Sequence, residues 1–378
     1  MHSLSLAVLL APSFLAAALP AFAPGRIGVP IHTRDAVGAL ETVLLFDSLA
    51  FEDADGTQLL AQEAYVHLSQ IDIDDFLEDA ANLLSSINID LGQDLANAAE
   101  RLKLFAAIGV ADREVTVQVD GGDADITVGP TSSDDRGLTW QNATLGDCEV
   151  KSAKVAASAQ TEDGRTFAST IFAPATDGWG VISDIDDTIK ISHTLDTLEL
   201  LKATFFDEPE PVAGMPELYA ALAEKLDPQF VYVTGSPYQL YPFLHDFVNT
   251  TYSASTGPIY TKNLTLTSID DLLGFISGDN TQEYKVFIID ALHGIFPNKK
   301  FLGVGDSTEA DPETYGEVYR KYGPDFLGCA WIRAVDGANN TDERFAAAFA
   351  EVPAERWRVF TDDEIASLAD IDLDGGSC

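Results

Sequence analysis

From about Gly178 onward, short apolar runs alternate with amphipathic stretches. Trp179, Val181 and Ile182, then Phe230-Val231-Tyr232-Val233, then Phe301-Leu302-Gly303-Val304, then the run 326–332 read as buried strands. Helix signals fall between and after them: Pro216 near the start of 217–226, then 238–248, 282–295, and 312–322 stopped by Gly323. This alternation predicts an α/β fold with a doubly wound, mostly parallel sheet covered on both faces. Upstream the rhythm changes. Strands are expected at 43–46 and 64–68, helices at 76–84 and 95–108, and two-residue alternation at 115–119 and 126–128. Turn residues at Gly121-Gly122-Asp123, Asp134–Gly137 and Glu162–Arg165 point to antiparallel hairpins. The division expected is a leader over 1–23, a smaller β-rich, sandwich-like domain over 24–177, and the α/β domain over 178–378.

The chemistry collects where these strands end, which is where open α/β sheets bind ligands. The first strand runs into Asp184-Ile185-Asp186-Asp187-Thr188. Two carboxylates forced together need a cation; the first can act as nucleophile or metal ligand, and the second can protonate a leaving group and then activate water. Asp72-Ile73-Asp74-Asp75 repeats the pattern without a strand before it or a threonine after it, and reads as a solvated helix start. The second strand ends on Thr234-Gly235-Ser236-Pro237, a hydroxyl and backbone N–H groups suited to phosphate oxygens. Lys285 opens an apolar-periodic helix. The third strand ends on Gly305-Asp306-Ser307, with Asp311 shortly after; Asp311 also reads as a helix cap.

In that order these residues resemble the four motifs of haloacid dehalogenase superfamily phosphatases. More narrowly, the stretches 182–190, 236–242, 296–301 and 305–307 resemble the fungal actin-patch-type phosphatidate phosphatase catalytic domain, over roughly 179–332. Two positions depart from that family. Thr234-Gly235-Ser236-Pro237-Tyr238 stands where Ser-Asn-Ser-Pro-Trp is usual, and Thr308 follows Ser307 where glycine is usual. The resemblance implies Asp184 as the nucleophile forming an aspartyl-phosphate and Asp186 as general acid and base. It implies Thr188 within the catalytic set, Thr234, Gly235, Ser236 and Lys285 on the phosphate, and one Mg²⁺ held by Asp184, Asp186 through its carbonyl, and Asp306, with Asp311 nearby. It further implies a phosphoester substrate, most specifically phosphatidate, met by transient contact with a membrane surface. A phosphatase for soluble phosphoesters and a catalytically silent extracellular binding module are the alternatives.

Composition changes the picture in two ways. The 378 residues carry a formal net charge of -39, which argues against nucleic acid as a partner and against docking on anionic lipid. Residues 4–19 form an uncharged apolar run followed by Ala21-Phe22-Ala23, the pattern of a cleaved secretory leader, so the chain is expected to be extracellular. Asn-x-Thr acceptor triplets at Asn142, Asn249, Asn263 and Asn339 agree with export. Cys148, Cys329 and Cys378 allow one bridge without saying which, and Cys329, inside an expected strand, reads as a buried thiol. The acidic tail 370–375 reads as solvated. Phe205, Phe206 and leucines at 195, 198, 200 and 201, facing Tyr238, Leu240, Tyr241 and Phe243, read either as core or as the lining of an acyl groove.

Overall fold

A computed structural model describes residues 35–68, 95–120, 125–134, 136–145, 154–161, 163–264 and 281–378. The leader, the Asp72–Asp75 repeat, the 76–84 helix, the Gly121-Gly122-Asp123 turn and Cys148 lie outside the described residues. Residues 34–378 form one compact unit.

The first part of that unit is β-rich. Its strands are β1 (Asp35–Ala36), β2 (Thr42–Leu45), β3 (Ser48–Glu52), β4 (Gln58–Leu68), β5 (Ile108–Gly109), β6 (Arg113–Val119), β7 (Ile126–Val128), β8 (Leu138–Thr144), β9 (Lys154–Gln160) and β10 (Thr166–Phe172). Among the described residues they join one sheet in the order β1-β6-β9-β10-β3-β4-β2, with β5 and β8 also on β4 and β7 on β6. Most pairings are antiparallel, while β1 with β6 and β10 with β3 are parallel. A sandwich-like pair of sheets was the expectation, whereas a single curved half-barrel is found. The reason is β4: its 11 residues pair with β2, β3, β5 and β8 along its length, so the sheet bends around one core instead of splitting. Leu60, Ala64 and Val66 from β4 meet Val115, Val117 and Val128 in that core. The expected 95–108 helix stops early, as α1 (Leu95–Leu102), and Ile108 belongs to β5.

The second part holds six parallel strands, β11 (Trp179–Ser183), β12 (Gln229–Pro237), β13 (Ile259–Lys262), β14 (Lys300–Asp306), β15 (Leu327–Arg333) and β16 (Trp357–Phe360), in the order β13-β12-β11-β14-β15-β16. The expected strands are present; β13 and the edge strand β16 are added to them. The helices are α2 (Thr197–Phe205), α3 (Met215–Leu226), α4 (Tyr241–Thr251), α5 (Thr281–Ile295), α6 (Asp311–Tyr322), α7 (Asp342–Ala348) and the short α8 (Ile365–Leu368). Alternate strand residues feed two cores. Val181, Phe230 and Tyr232 pack with α2, α3 and α4, while Ile182, Val231 and Val233 pack with α5, α6 and α7. The order reverses between β11 and β14, and Ser183 pairs in register with Tyr232 and with Val304. Three chemistry-bearing strand ends therefore lie side by side.

The half-barrel is tied to this sheet beside β12. Phe46 meets Tyr241 edge-on at 4.5 Å between ring centroids, Tyr65 meets Tyr238 at 5.0 Å, and the Tyr241 hydroxyl accepts the Asp47 N–H at 2.8 Å. The C-terminus corrects one expectation. Cys329 is not a free thiol but is bonded to Cys378, with Cα atoms 5.6 Å apart. The acidic residues Asp370, Asp372 and Asp374 of the tail are exposed, while Leu373 is buried, Trp179 Nε1 donates to Asp374 at 2.6 Å, and Trp331 Nε1 donates to the Cys378 carbonyl at 3.2 Å.

Candidate active site

Asp184 follows β11 directly, and its N–H donates to the Val304 carbonyl at 2.9 Å, locking it to β14. Lys285, in the second turn of α5, reaches back to it. Its buried ammonium donates to Asp184 Oδ1 at 2.8 Å, to Asp311 Oδ1 at 2.6 Å and to Glu309 Oε2 at 3.0 Å. Asp311 in turn accepts the Asp306 N–H at 3.1 Å. The close approach of Asp311 explains Gly305, since a Cβ there would sit 2.5 Å from that carboxylate. Thr188 lies beneath, its hydroxyl 3.4 Å from Asp306 Oδ2, and Thr308 donates to Asp306 Oδ1 from both its N–H and its hydroxyl.

One carboxylate oxygen from each of Asp184, Asp306 and Asp311 lies within 4.8 Å of the others, all buried. With Glu309, four carboxylates face the single ammonium of Lys285. Burial, reinforced by Asp311 and Glu309, pushes the Asp184 and Asp306 carboxyls well above the ordinary range, with Lys285 opposing. Burial alone would favour neutral Lys285, yet its three carboxylate partners hold it charged. Asp184 Oδ2 is buried with no hydrogen-bond partner among the described residues. Hard oxygen donors with excess negative charge and an orphaned oxygen fit a metal cation.

Asp186 sits on the opposite side of the cleft and stays out of that cluster. A tight turn places it there: Ile189 and Lys190 both donate their N–H to the Ile185 carbonyl, and Asp187 adopts φ 54°. The Asp187 carboxylate then accepts the N–H groups of Ser192, His193 and Thr194 and the Thr194 hydroxyl, holding the following loop. Asp186 Oδ2 accepts the hydroxyls of Thr234 at 2.9 Å and Ser236 at 2.8 Å, and Oδ1 accepts Ser192 Oγ at 2.6 Å. Lys190, almost wholly buried, donates to Ser192 Oγ at 2.8 Å and stands 3.8 Å from Asp186 Oδ1. Burial opposes ionisation of Asp186, but Lys190 and the three hydroxyls outweigh it, so its carboxyl lies below the ordinary range.

The expected residues are thus brought together, with one difference in donors. The Ser236 N–H is not free for a phosphate but donates to Thr234 Oγ1 at 3.0 Å. A cavity of about 780 Å³ opens over the site, lined by Asp186, Gly235, Ser236 and Glu309 on its polar side and by Leu195, Leu200, Phe205 and Leu240 on its apolar side. Of the candidate acyl-groove set, these four line the cavity, Phe205 and Leu240 also belonging to the core, while Leu201, Phe206, Tyr238 and Tyr241 belong to the core alone. His193 is exposed and contributes its backbone N–H to Asp187.

Sequence reasoning missed Glu309, Ser192, the structural work of Asp187, and the role of Lys190. It also missed Arg344, which donates to the Ser307 and Glu309 carbonyls and to both Glu313 oxygens, clamping the loop between Asp306 and Asp311. Glu309 lies inside a loop already marked by Gly305, Asp306 and Asp311, so position was a usable signal; Arg344 offered none.

Residues 179–334 match the family model described as Phosphatidate phosphatase APP1, catalytic domain. This segment is similar to that catalytic domain. Phosphatidate phosphatase APP1 of Saccharomyces cerevisiae is 31% identical over 153 residues, which cover 40% of this chain and 24% of that protein. The matched segment runs from β11 to the end of β15. It includes Asp184, Asp186, Thr234, Lys285, Asp306 and Asp311, and it excludes the half-barrel and Arg344.

Proposed function

We propose that this chain is an exported, Mg²⁺-dependent phosphatase of the haloacid dehalogenase type, with a doubly wound catalytic sheet, that hydrolyses a phosphomonoester through an aspartyl-phosphate. Phosphatidate, cleaved to diacylglycerol and phosphate, is the leading substrate. The observation that carries the reading is Lys285 held by Asp184, Glu309 and Asp311 while Asp186 is held separately by three hydroxyls. That arrangement supplies a nucleophile, charge compensation and an independent acid and base at adjacent strand ends.

The Asp184 carboxylate attacks phosphorus as the bond from phosphorus to the ester oxygen breaks; Asp186, a carboxylate at rest, first takes up a proton from solvent and then gives it to the leaving oxygen. Asp186, again a carboxylate, then takes a proton from water as that water attacks the phosphorus of the aspartyl-phosphate, releasing phosphate and restoring Asp184. Lys285 neutralises phosphoryl oxygens, and Thr234 and Ser236 orient Asp186 and the phosphoryl group. Asp184, Asp306 and Asp311 would hold Mg²⁺, which when bound supplies charge neutralisation for the transferring group.

The apolar wall of Leu195, Leu200, Phe205 and Leu240 supports a lipid leaving group, and the name of the yeast relative points the same way. The net charge of -39 favours the second reading, a soluble phosphoester. Short-chain dispersed phosphatidate and glycerol phosphate, compared at saturating Mg²⁺, separate the two. Higher kcat/KM for phosphatidate is expected, because remote apolar binding energy is realised in the transition state; equal or better turnover of glycerol phosphate overturns the lipid assignment. On vesicles rich in anionic lipid the rate should rise with salt as repulsion is screened.

Export is supported by the apolar leader and by the Cys329–Cys378 bond, a pairing that persists in oxidising compartments. Protein recovered from culture medium should begin at or near Pro24; recovery only from cytosol with Met1 retained would remove this part of the proposal.

A further inference from the structure

The acceptor triplets differ in where the fold puts them. Asn142 is half-buried within β8, opposite Ala61 of β4. Asn249 is exposed on α4, but its amide nitrogen lies 2.9 Å from a ring nitrogen of His245. Asn263 is exposed just after β13. Asn339 alone among them is both exposed and part of the wall of the active-site cavity, in the loop between β15 and α7.

That loop is held rigidly against the site. Val335 N–H donates to Ser307 Oγ at 2.9 Å, Asn340 Nδ2 donates to the Val335 carbonyl at 2.7 Å, and the loop ends on Thr341, whose hydroxyl accepts the Arg344 N–H and caps α7. The same Thr341 hydroxyl donates to Asn339 Oδ1 at 3.1 Å, so the acceptor amide and the triplet's hydroxyl are in contact. No hydrogen bond occupies Asn339 Nδ2 among the described residues. Arg344 joins this loop to the backbone carrying Glu309. A group attached at Asn339 would therefore be rooted at a fixed point on the cavity wall.

We infer that Asn339 is an N-glycosylation site whose glycan narrows the entrance to the active-site cavity and disfavours substrate presented in a packed bilayer relative to dispersed phosphoester. The inference rests on the export proposed above. In the attachment step the amide nitrogen of Asn339 bonds to the anomeric carbon of an oligosaccharide carried on a polyprenyl pyrophosphate. That carbon's bond to the pyrophosphate oxygen breaks, the pyrophosphate leaves with the bonding pair, and one amide proton is lost. The consequence is steric: membrane-bound substrate requires the cavity mouth to approach a surface, and a bulky hydrated group on the rim holds the two apart.

The test uses the full chain, leader included, recovered from culture medium. Glycopeptide mapping should find a glycan on Asn339, and Asn339→Gln should lose one endoglycosidase-sensitive mobility shift while any shift due to Asn249 or Asn263 remains. Activity on phosphatidate in vesicles, divided by activity on short-chain dispersed phosphatidate, should rise in Asn339→Gln. It should rise equally in wild-type protein deglycosylated under native conditions, a control that does not depend on the variant folding. Glycan on Asn249 or Asn263 with Asn339 bare overturns this inference and leaves export standing. A chain without glycan and retaining Met1 overturns both. An occupied Asn339 whose removal leaves the ratio unchanged or lower overturns the role at the cavity mouth.

Discussion

Asp184 and Asp186 are the same residue type, separated by Ile185 alone, and both are buried, yet their surroundings are opposite. Asp184 faces three other carboxylates and shares one ammonium with two of them. Asp186 faces no carboxylate in hydrogen-bond contact; three hydroxyls and a nearby Lys190 saturate it. Burial raises both, but neighbours decide the outcome: the first is pushed up and the second is held down. The difference shows that a chain can draw two chemical roles from one turn by choosing which strand end each side chain meets. The Asp184 side gathers β14 and α5 and needs a cation to be at rest. The Asp186 side gathers β12 and the loop after the turn, and is complete as it stands.

The largest test of this division is activity. Asp184→Asn keeps the shape and removes the attacking oxygen's charge, and the loss expected is on the order of 10³-fold or more in kcat/KM. Asp186→Asn should lose about 10²–10⁴-fold, less for substrates whose leaving groups need no protonation. If the Asp186 variant's deficit does not depend on the leaving group, the assignment of acid and base to this side is broken.

Next in size is the response to removing each lysine. Lys285→Ala strands its three carboxylate partners, and breaking a buried pair this way costs about 3–5 kcal/mol. Lys190→Ala should cost less, because Asp186 keeps its hydroxyl donors. Chemical denaturation without divalent metal reads both, and the reverse order would contradict the contrast drawn between the two sides. Added Mg²⁺ should recover part of the Lys285→Ala loss, by about 2.7 kcal/mol at a concentration 100 times the Kd.

The two carboxylates should also differ in the sign of their pH dependence in metal-free protein. The folded value of Asp186 is depressed, so its contribution to stability is present above the ordinary carboxylate range and is lost as pH falls through that range. The folded value of Asp184 is raised, so its contribution is present at low pH and is lost as pH rises above that range. At neutral pH without metal, Asp184→Asn should therefore be neutral or stabilising and Asp186→Asn destabilising, by about 1–3 kcal/mol. Thermal melts of the two variants beside the wild type measure this, and a shared sign would show that the two environments do not differ as described.

The site's first layer was legible because its residues sit at the ends of apolar runs, where local pattern and chemistry coincide. Asp184, Thr234, Ser236 and Asp306 follow that rule, while Lys285 and Asp311 lie near the starts of helices. Lys190, Ser192 and Asp187 were harder, since their work depends on a turn whose hydrogen bonds are not written in periodicity. Arg344 was invisible: it reaches the loop after β14 from α7, a contact made only by tertiary packing. The parallel sheet was readable for the same reason as the site, its four central strands β11, β12, β14 and β15 being nearly continuous buried runs. The half-barrel was not, because β4 takes four partners and register alone decides how such a sheet curves. Short edge elements escaped too, as four-residue β13 and β16 carry little pattern of their own, and so did the anchoring of the exposed acidic tail through Leu373 and the Cys329–Cys378 bond.

The smallest expected effect concerns Thr308, which stands where the family usually has glycine. Its hydroxyl and N–H both donate to Asp306 Oδ1, and Thr194 Oγ1 lies 2.7 Å from the Thr308 hydroxyl and from Asp187 Oδ2. Thr194 and Thr308 therefore link Asp187, which shapes the Asp186 turn, to Asp306, which serves the Asp184 side. With Oδ1 so engaged and Oδ2 beside the Thr188 hydroxyl, the Asp306 carboxylate is held in a fixed orientation. Groups that orient a metal-binding carboxylate change affinity by about 10–100-fold when lost, and because the backbone N–H survives in Thr308→Gly the lower end, about tenfold weaker Mn²⁺ or Mg²⁺ binding, is expected. Titration calorimetry reads that directly, with Thr308→Ser restoring the hydroxyl and the affinity. At saturating metal the glycine variant should recover most of its kcat, since no reacting atom touches Thr308. Unchanged affinity in Thr308→Gly would mean that the two sides of the site are independent and that the threonine is only a filled position.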